Sequence, residues 1–444
     1  MELQLRSCKT IFHLQQLHAH IIRKGLEQDL FILSRFICIC NSLCNTAYAA
    51  SVFARVSTPS SYLWNCLIKG LCENSSLAET QSGFVGLRRS GGAPDCYTYS
   101  SLIKACANEG RIEEGMMAHG GVIKCGANEN VYVGTCLIDM YGKCGEVGLA
   151  RKVFDEMVVR NVVSWTALLF GYAGVGDMAE AKNIFDKMPG RNSTTWNAMI
   201  KGFVKSGELN KARRLFDEMP VKNAVSYTIL IDGYARDGDM AYARCLFDQA
   251  VDVDIVAWSA LISGYVKNGQ PYEAVKMFEK MCSQNVKADE FIMVSLMSAC
   301  SKIGIPKLAE WVDAYVCQSS IDHRNYYISA ALVDMNAKCG NMDRATVLFE
   351  EMPRRNLVSY CSMMQGFSIH GCGAQAVGLF RRMLDDGLTP DGVAFTVILT
   401  ACCDAGLVDE GCHFFNLMTN QYSIAPSPDH YACMVNLYGR AGQL

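Results

Sequence analysis

STTWNAMIKGFVKSGELNKARRLFDEMPVKN, residues 193–223, carries two clusters of apolar residues separated by a glycine. The first is Met199, Ile200 and Phe203, at spacings of one and four; the second is Ala212, Leu215, Phe216 and Met219, at spacings of three, four and seven. Both spacings put the apolar side chains on one face of a helix. Between them Gly207 sits where a helix must stop in a left-handed conformation that glycine adopts without strain. The stretch therefore predicts a helical hairpin.

The hairpin recurs. Residues 162–192, 224–254 and 255–289 repeat it, and the turn glycine returns as Gly110, Gly145, Gly176, Gly238, Gly269, Gly304, Gly340, Gly371, Gly406 and Gly442. Carrying the phase outward gives repeats at 30–60, 61–95, 96–130, 131–161, 162–192, 193–223, 224–254, 255–289, 290–325, 326–356, 357–391 and 392–427, their lengths wavering between 31 and 36 residues. Residues 1–29 fit a repeat lacking its first positions. Residues 428–444 supply only a first helix, with Met434, Val435 and Tyr438 expected to face a missing partner, so the chain reads as a truncated form of something longer. A hairpin of this size cannot cover its own apolar face and must share a core with its neighbours. The expected fold is all-α: a right-handed α-solenoid of stacked helix-turn-helix repeats, one elongated domain.

Half of the 444 residues are hydrophobic, which excludes a disordered chain. No apolar run reaches the roughly 20 residues that span a bilayer, so a soluble protein without a membrane partner is expected. The 22 cysteines include no two that are three apart, and a C-x-x-C zinc element is therefore missing. Cys144 and Cys339 share one place in their repeats, as do Cys106, Cys300 and Cys402 in theirs, which reads as small packing residues in a reducing compartment. His18, His20, His119, His323, His370, His413 and His430 do not assemble at metal-ligand spacing, and neither a nucleophile elbow nor a phosphate-binding loop is present. No enzyme activity, cofactor or metal is expected. Met1 opens almost directly into repeat sequence, without a recognisable signal or transit peptide.

Stacking turns equivalent places into ladders. The thirteenth residue of a repeat is Lys143, Lys205, Arg236, Lys267, Lys338 and, in the last fragment, Arg440. Such cations complement a helix dipole, or else form a row of phosphate contacts along a single strand. With a net charge of −3, nucleic-acid affinity must come from this local row. The fifth residue is Asn65, Ser100, Thr135, Thr166, Asn197, Thr228 and Ser259, and the last is Asp95, Asn130, Asn161, Asn192, Asn223, Asp254 and Asp289. Helix capping explains Asp and Asn at the last place. It does not explain short polar side chains one turn inside the helix, whereas base reading does.

With those places set out, the chain resembles the plant organellar pentatricopeptide repeat proteins, in the PLS subfamily that mixes repeats of about 35, 36 and 31 residues. LIDMYGKCGEVGLARKVFDEM (Leu137 to Met157) is similar to the short repeat, SLIKACANEGRIEEG (Ser101 to Gly115) to the long one and SYLWNCLIKGLCENSSLAE (Ser61 to Glu79) to the standard one. APSPDHYACMVNLYGRAG (Ala425 to Gly442) resembles the short repeat that precedes an E-type extension. The resemblance implies that each hairpin binds one base of single-stranded organellar RNA, chosen by the fifth and last residues, and that an apolar second residue clamps the base. Val163, Val225 and Val256 fit the clamp; Tyr132 and Thr194 depart from it.

A carboxylate only accepts hydrogen bonds and suits guanine or uracil, whereas an amide also donates and suits adenine or cytosine. The implied reading is U at Asn65/Asp95, A at Ser100/Asn130, Thr135/Asn161 and Thr166/Asn192, a pyrimidine at Asn197/Asn223, and G at Thr228/Asp254 and Ser259/Asp289. Val294/Asn325, Ala330/Asn356 and Cys361/Asp391 lack a polar fifth residue and are assigned to spacing and stacking. The function so implied is site recognition for C-to-U RNA editing in a mitochondrion or chloroplast, with a deaminase-bearing protein and editing cofactors acting in trans. Two alternatives stand beside it. One is an RNA stability, splicing or translation factor; the other is a tetratricopeptide-type protein scaffold, whose glycine after the first-helix leucine is here Ile103, Ile138, Ile200, Ile231 and Ile262.

Overall fold

The computed structural model describes residues 10–442 apart from 252, 320, 323, 324 and 353, so the ends of both partial repeats and His323 lie outside the described residues. The chain forms two compact bodies, Met1–Lys222 and Asn223–Leu444. Each is an α-solenoid segment, a row of helical hairpins with no strand among the described residues. First helices in the N-terminal body are Leu30–Ser42, Ser61–Asn74, Cys96–Glu109, Val131–Lys143, Val162–Gly174 and Ser193–Lys205. In the C-terminal body they are Ala224–Asp237, Ile255–Lys267, Glu290–Ile303, Tyr326–Lys338, Leu357–Ile369, Gly392–Ala405 and Pro428–Arg440.

The variation in hairpin length sits in the second helix. Val147–Glu156, Met178–Lys187, Leu209–Glu218, Met240–Gln249 and Met342–Glu351 have 10 residues each. Leu77–Arg89, Ile112–Lys124, Pro271–Ser283, Pro306–Gln318 and Gly373–Asp385 have 13, close to one more turn. At the turn, Gly207 has φ +77°, and the amide of Glu208 closes the preceding helix on the Phe203 carbonyl at 2.8 Å.

Several of the short hairpins end in a device that serves two helices. Arg160 donates from Nε to the Phe154 carbonyl at 2.9 Å, satisfying the end of the second helix, while its guanidinium lies 4.9 Å from the Phe154 ring centre. The next residue, Asn161, caps the following first helix: its Oδ1 accepts from the Ser164 amide at 2.9 Å, and the Ser164 hydroxyl accepts from the Asn161 amide at 3.1 Å. Arg191 and Arg355 repeat the first half of this arrangement on the Phe185 and Phe349 carbonyls.

Packing between hairpins is stapled by aromatic pairs. The second-helix phenylalanine of one hairpin meets the aromatic fourth residue of the next edge-to-face: Phe154 with Trp165 at 4.7 Å, Phe185 with Trp196 at 4.9 Å and Phe247 with Trp258 at 4.6 Å. Each pair contributes about 0.5–1.5 kcal/mol beyond its buried area. Polar bonds also cross between neighbours. Asn268 Nδ2 donates to the Ala235 carbonyl at 2.7 Å and His370 Nε2 to the Ala337 carbonyl at 3.0 Å, so a residue just after one first helix satisfies the end of the one before it. Cys106, Cys300 and Cys402 are fully buried, and burial pushes their thiols up to about 12. They pack as apolar groups.

One expectation about the last helix is corrected. Met434, expected to face a missing partner, is buried together with Leu437 in the core of the C-terminal body, and the Tyr438 hydroxyl lies 2.8 Å from Cys412 Sγ. Pro428–Arg440 turns the face of His430, Met434 and Leu437 inward, and of the three residues named only Val435 stays exposed. No described helix is long and apolar enough to cross a membrane.

Candidate nucleic-acid interface

The second, fifth, ninth and thirteenth residues of a first helix are three or four apart and therefore share one face. On Ser193–Lys205 that stripe is Thr194, Asn197, Lys201 and Lys205. At the second place Val163, Val225 and Val256 are 59, 50 and 57% exposed. Tyr132, which sequence reasoning set aside, is equally open, as are Phe31, Tyr62, Tyr97, Phe291 and Tyr327. These aromatics were missed although they stand in phase with the valines. A large apolar side chain thus stands in solvent, outside the core, at one place of almost every repeat.

The fifth and last residues of a repeat are some 30 apart in sequence, and the fold brings Thr228 to Asp254 and Asn65 to Asp95. Thr228 Oγ1 donates to Asp254 Oδ1 at 3.1 Å. Asn65 Nδ2 reaches both carboxylate oxygens of Asp95, at 3.0 and 2.9 Å, and the Thr98 hydroxyl donates to Asn65 Oδ1 at 2.6 Å, so this pair is closed on itself. Thr166 is turned toward the next helix, its hydroxyl 3.1 Å from that of Thr195. Ser100 is only 2% exposed and makes no bond to Asn130; nor are Thr135 and Asn161, or Ser259 and Asp289, directly bonded. Asn197 lies buried near the end of the N-terminal body, while Asn223 opens the other body as the cap of Ala224–Asp237.

The fifth-place hydroxyls have a local use. Those of Ser100, Thr135 and Thr166 donate to the carbonyl four residues back, at 2.6, 2.7 and 2.6 Å, and Thr228 shares its one hydrogen between the Ala224 carbonyl at 2.9 Å and Asp254 Oδ1. Their lone pairs stay available as acceptors. The last-place side chains are all N-caps, and the cap takes one atom: Oδ1 accepts the third-residue amide in Asn161, Asn192, Asp254 and Asp289, at 2.9, 2.9, 2.8 and 2.9 Å. What remains is Nδ2, a donor, in Asn161 and Asn192, and Oδ2, an acceptor, in Asp254 and Asp289. Because a cap atom must accept, each capping amide atom is the oxygen, and the nitrogen is the atom left over.

The basic row is uneven. Lys143, Arg236 and Lys338 each pair with the aspartate four residues earlier, Asp139, Asp232 and Asp334, all at 2.8 Å. Lys205 and Lys267 form no ion pair among the described residues. His119 serves packing: its Nδ1 lies 2.9 Å from the Tyr141 hydroxyl, and burial lowers its pKa. No cluster of metal-ligating side chains exists among the described residues.

Fold and face together define an α-solenoid repeat protein that presents a periodic polar and apolar stripe. The comparisons with known proteins agree. A PPR repeat family model matches residues 59–108, 253–302 and 355–404, and a PPR repeat model matches 97–126, 135–162, 163–193, 194–223, 225–254, 330–357 and 393–421. A putative pentatricopeptide repeat-containing protein of Arabidopsis thaliana is 62% identical over the whole chain, which covers 81% of that relative; a second from the same plant is 46% identical over 99% of the chain and 74% of its own length. The chain belongs to the pentatricopeptide repeat family. Among solved structures, the pentatricopeptide repeat protein PPR10 from maize superposes with TM-score 0.53 at 18% identity, over 97% of this chain and 76% of that one. PPR10 in complex with an 18-nt psaJ RNA element gives 0.54 at 17% identity, over 93% and 82%. At such identity the likeness concerns the fold.

Proposed function

We propose that this protein binds single-stranded RNA along the face of its first helices, one base per hairpin. The observation that carries the reading is the atom left over by the N-cap. Asp and Asn cap a helix about equally well, so capping gives no reason for the alternation between Asn161 or Asn192 and Asp254 or Asp289. The leftover atoms do differ: Nδ2 donates to the bare N1 of adenine, and Oδ2 accepts from the N1–H of guanine. The repeats at 131–161 and 162–192 then read A, 193–223 a pyrimidine, and 224–254 and 255–289 G. Asn65 and Asp95 must open their mutual bonds to read U, and buried Ser100 contributes little beside Asn130. Val163, Val225 and Val256 clamp bases from the second place, and Lys143, Lys205, Arg236, Lys267 and Lys338 are candidates for the phosphates.

The process served is site recognition for C-to-U editing of an organellar transcript, with the deaminase supplied by a partner. Two things support this: the resemblance of residues 425–442 to the repeat before an E-type extension, and Arabidopsis relatives whose names carry "mitochondrial" and "chloroplastic". PPR10 bound to its RNA supports the ligand class. The experiment is twofold. Selection from a random single-stranded RNA pool should enrich the order A, A, pyrimidine, G, G, and no enrichment would overturn the base reading. RNA sequencing of a loss-of-function line should find cytidines left unconverted; a transcript changed only in abundance would make the protein a stability factor instead.

A further inference from the structure

The ninth residue of each first helix lies between the fifth and the thirteenth on the same stripe, and it decides whether the cation after it is available. Where the ninth residue is Asp139, Asp232 or Asp334, the thirteenth is neutralised at 2.8 Å. The hairpin 193–223 is different. Its ninth residue is Lys201 and its thirteenth Lys205, both exposed, both without an ion pair among the described residues, and stacked one turn apart beyond Asn197.

A dipole explanation covers Lys205, in the last turn of its helix, but not Lys201, one turn inside. Two like charges at this spacing disfavour the helix unless an anion joins them. At Lys143, Arg236 and Lys338 a phosphate approaching the cation also meets a carboxylate one turn away, so little counterion is released there, and Lys267, with Ser263 at its ninth place, offers one open charge where 193–223 offers two. At Lys201 and Lys205 the full charge is open to the ligand.

We infer that Lys201 and Lys205 form the principal phosphodiester-binding station of this protein, gripping the strand beside the base held at Asn197, while the aspartate-paired cations Lys143, Arg236 and Lys338 add little backbone affinity. This rests on the proposed RNA-binding reading and goes beyond it, because an even row of phosphate contacts is replaced by one strong anchor. The ninth residue becomes an affinity control for the cation that follows it: a carboxylate silences that cation, whereas Lys201 doubles the open charge at Lys205.

The test uses the full chain and a 5′-labelled single-stranded RNA 20-mer of randomised sequence, with anisotropy read from about 50 to about 200 mM KCl. Lys201→Gln with Lys205→Gln should lower the log–log salt slope by about 1.4, which makes affinity about sevenfold less salt-sensitive over that fourfold range. Lys143→Gln should leave the slope unchanged, and Asp139→Asn should raise it by about 0.7 as Lys143 is released. Circular dichroism confirms that each variant is folded. If Lys143→Gln lowers the slope as much as Lys201→Gln alone, or Asp139→Asn leaves it unmoved, the anchor is refuted while RNA binding stands. If the unaltered protein binds no RNA at any salt, both the anchor and the reading beneath it fall.

Discussion

Asp254→Asn separates recognition from folding. Asp254 Oδ1 accepts from the Ala257 amide at 2.8 Å and from the Thr228 hydroxyl at 3.1 Å. Asparagine keeps an oxygen for both, and as an N-cap it ranks with aspartate, so thermal stability should change by less than about 0.5 kcal/mol. The atom that changes is Oδ2, which becomes an amide nitrogen with two hydrogens. Guanine then loses the acceptor for its N1–H and meets a donor instead, while adenine gains a donor for its N1. A base contact of this kind discriminates by about 1–3 kcal/mol, or roughly 5- to 150-fold in the ratio of two dissociation constants. The assay is competition anisotropy with a pair of 20-mers that differ only at the nucleotide facing the hairpin 224–254. The ratio should swing from G toward A. Asp254→Ala is the control: it removes the cap as well, costs about 1 kcal/mol of stability, and flattens the preference. An Asp254→Asn protein that melts like the original and still prefers G would show that the leftover atom does not read the base.

Two further outcomes concern the scaffold. Trp258 is 1% exposed and stacked edge-to-face on Phe247, so Trp258→Ala should destabilise the C-terminal body by about 3–5 kcal/mol, seen as a lower urea midpoint. His119 is kept neutral chiefly by burial, against the opposing pull of Glu156, so its folded pKa lies below the unfolded value. The unfolded chain therefore binds the extra proton, and the stability tied to His119 is present above about pH 6.5 and lost as the pH falls through the folded pKa. Between about pH 7 and pH 5, unfolding free energy should fall less in His119→Gln than in the parent; equal slopes would remove His119 from the account.

The hairpin fold was legible because its causes are local. The spacing of Met199, Ile200 and Phe203, the stop at Gly207 and the face of Ala212, Leu215 and Phe216 all lie within one stretch of 31 residues. The candidate site was legible only where phase alone carries it. Phase aligned the fifth and last residues, but it could not tell that Asn65 and Asp95 satisfy each other, that Ser100 is buried, or that Thr166 turns to Thr195. Those facts depend on how far one helix sits from the next. The ninth-place lysine and aspartates were in plain view, yet their meaning appears only when the thirteenth residue folds back one turn onto them. Asn268 reaching the Ala235 carbonyl, 33 residues back, had no sequence signal at all.

The shared cap has a consequence for how such a chain changes its target over generations. Because Asp and Asn hold the helix start alike, an exchange between them is invisible to folding and felt only by the ligand. Their codons differ by one first-position transition, so under the proposed reading a single nucleotide change in the gene retargets one hairpin without passing through an unstable intermediate. On that reading, a scaffold whose address letters double as interchangeable bolts can wander among transcripts at almost no structural risk, and duplicated copies can diverge in what they recognise while remaining equally well folded.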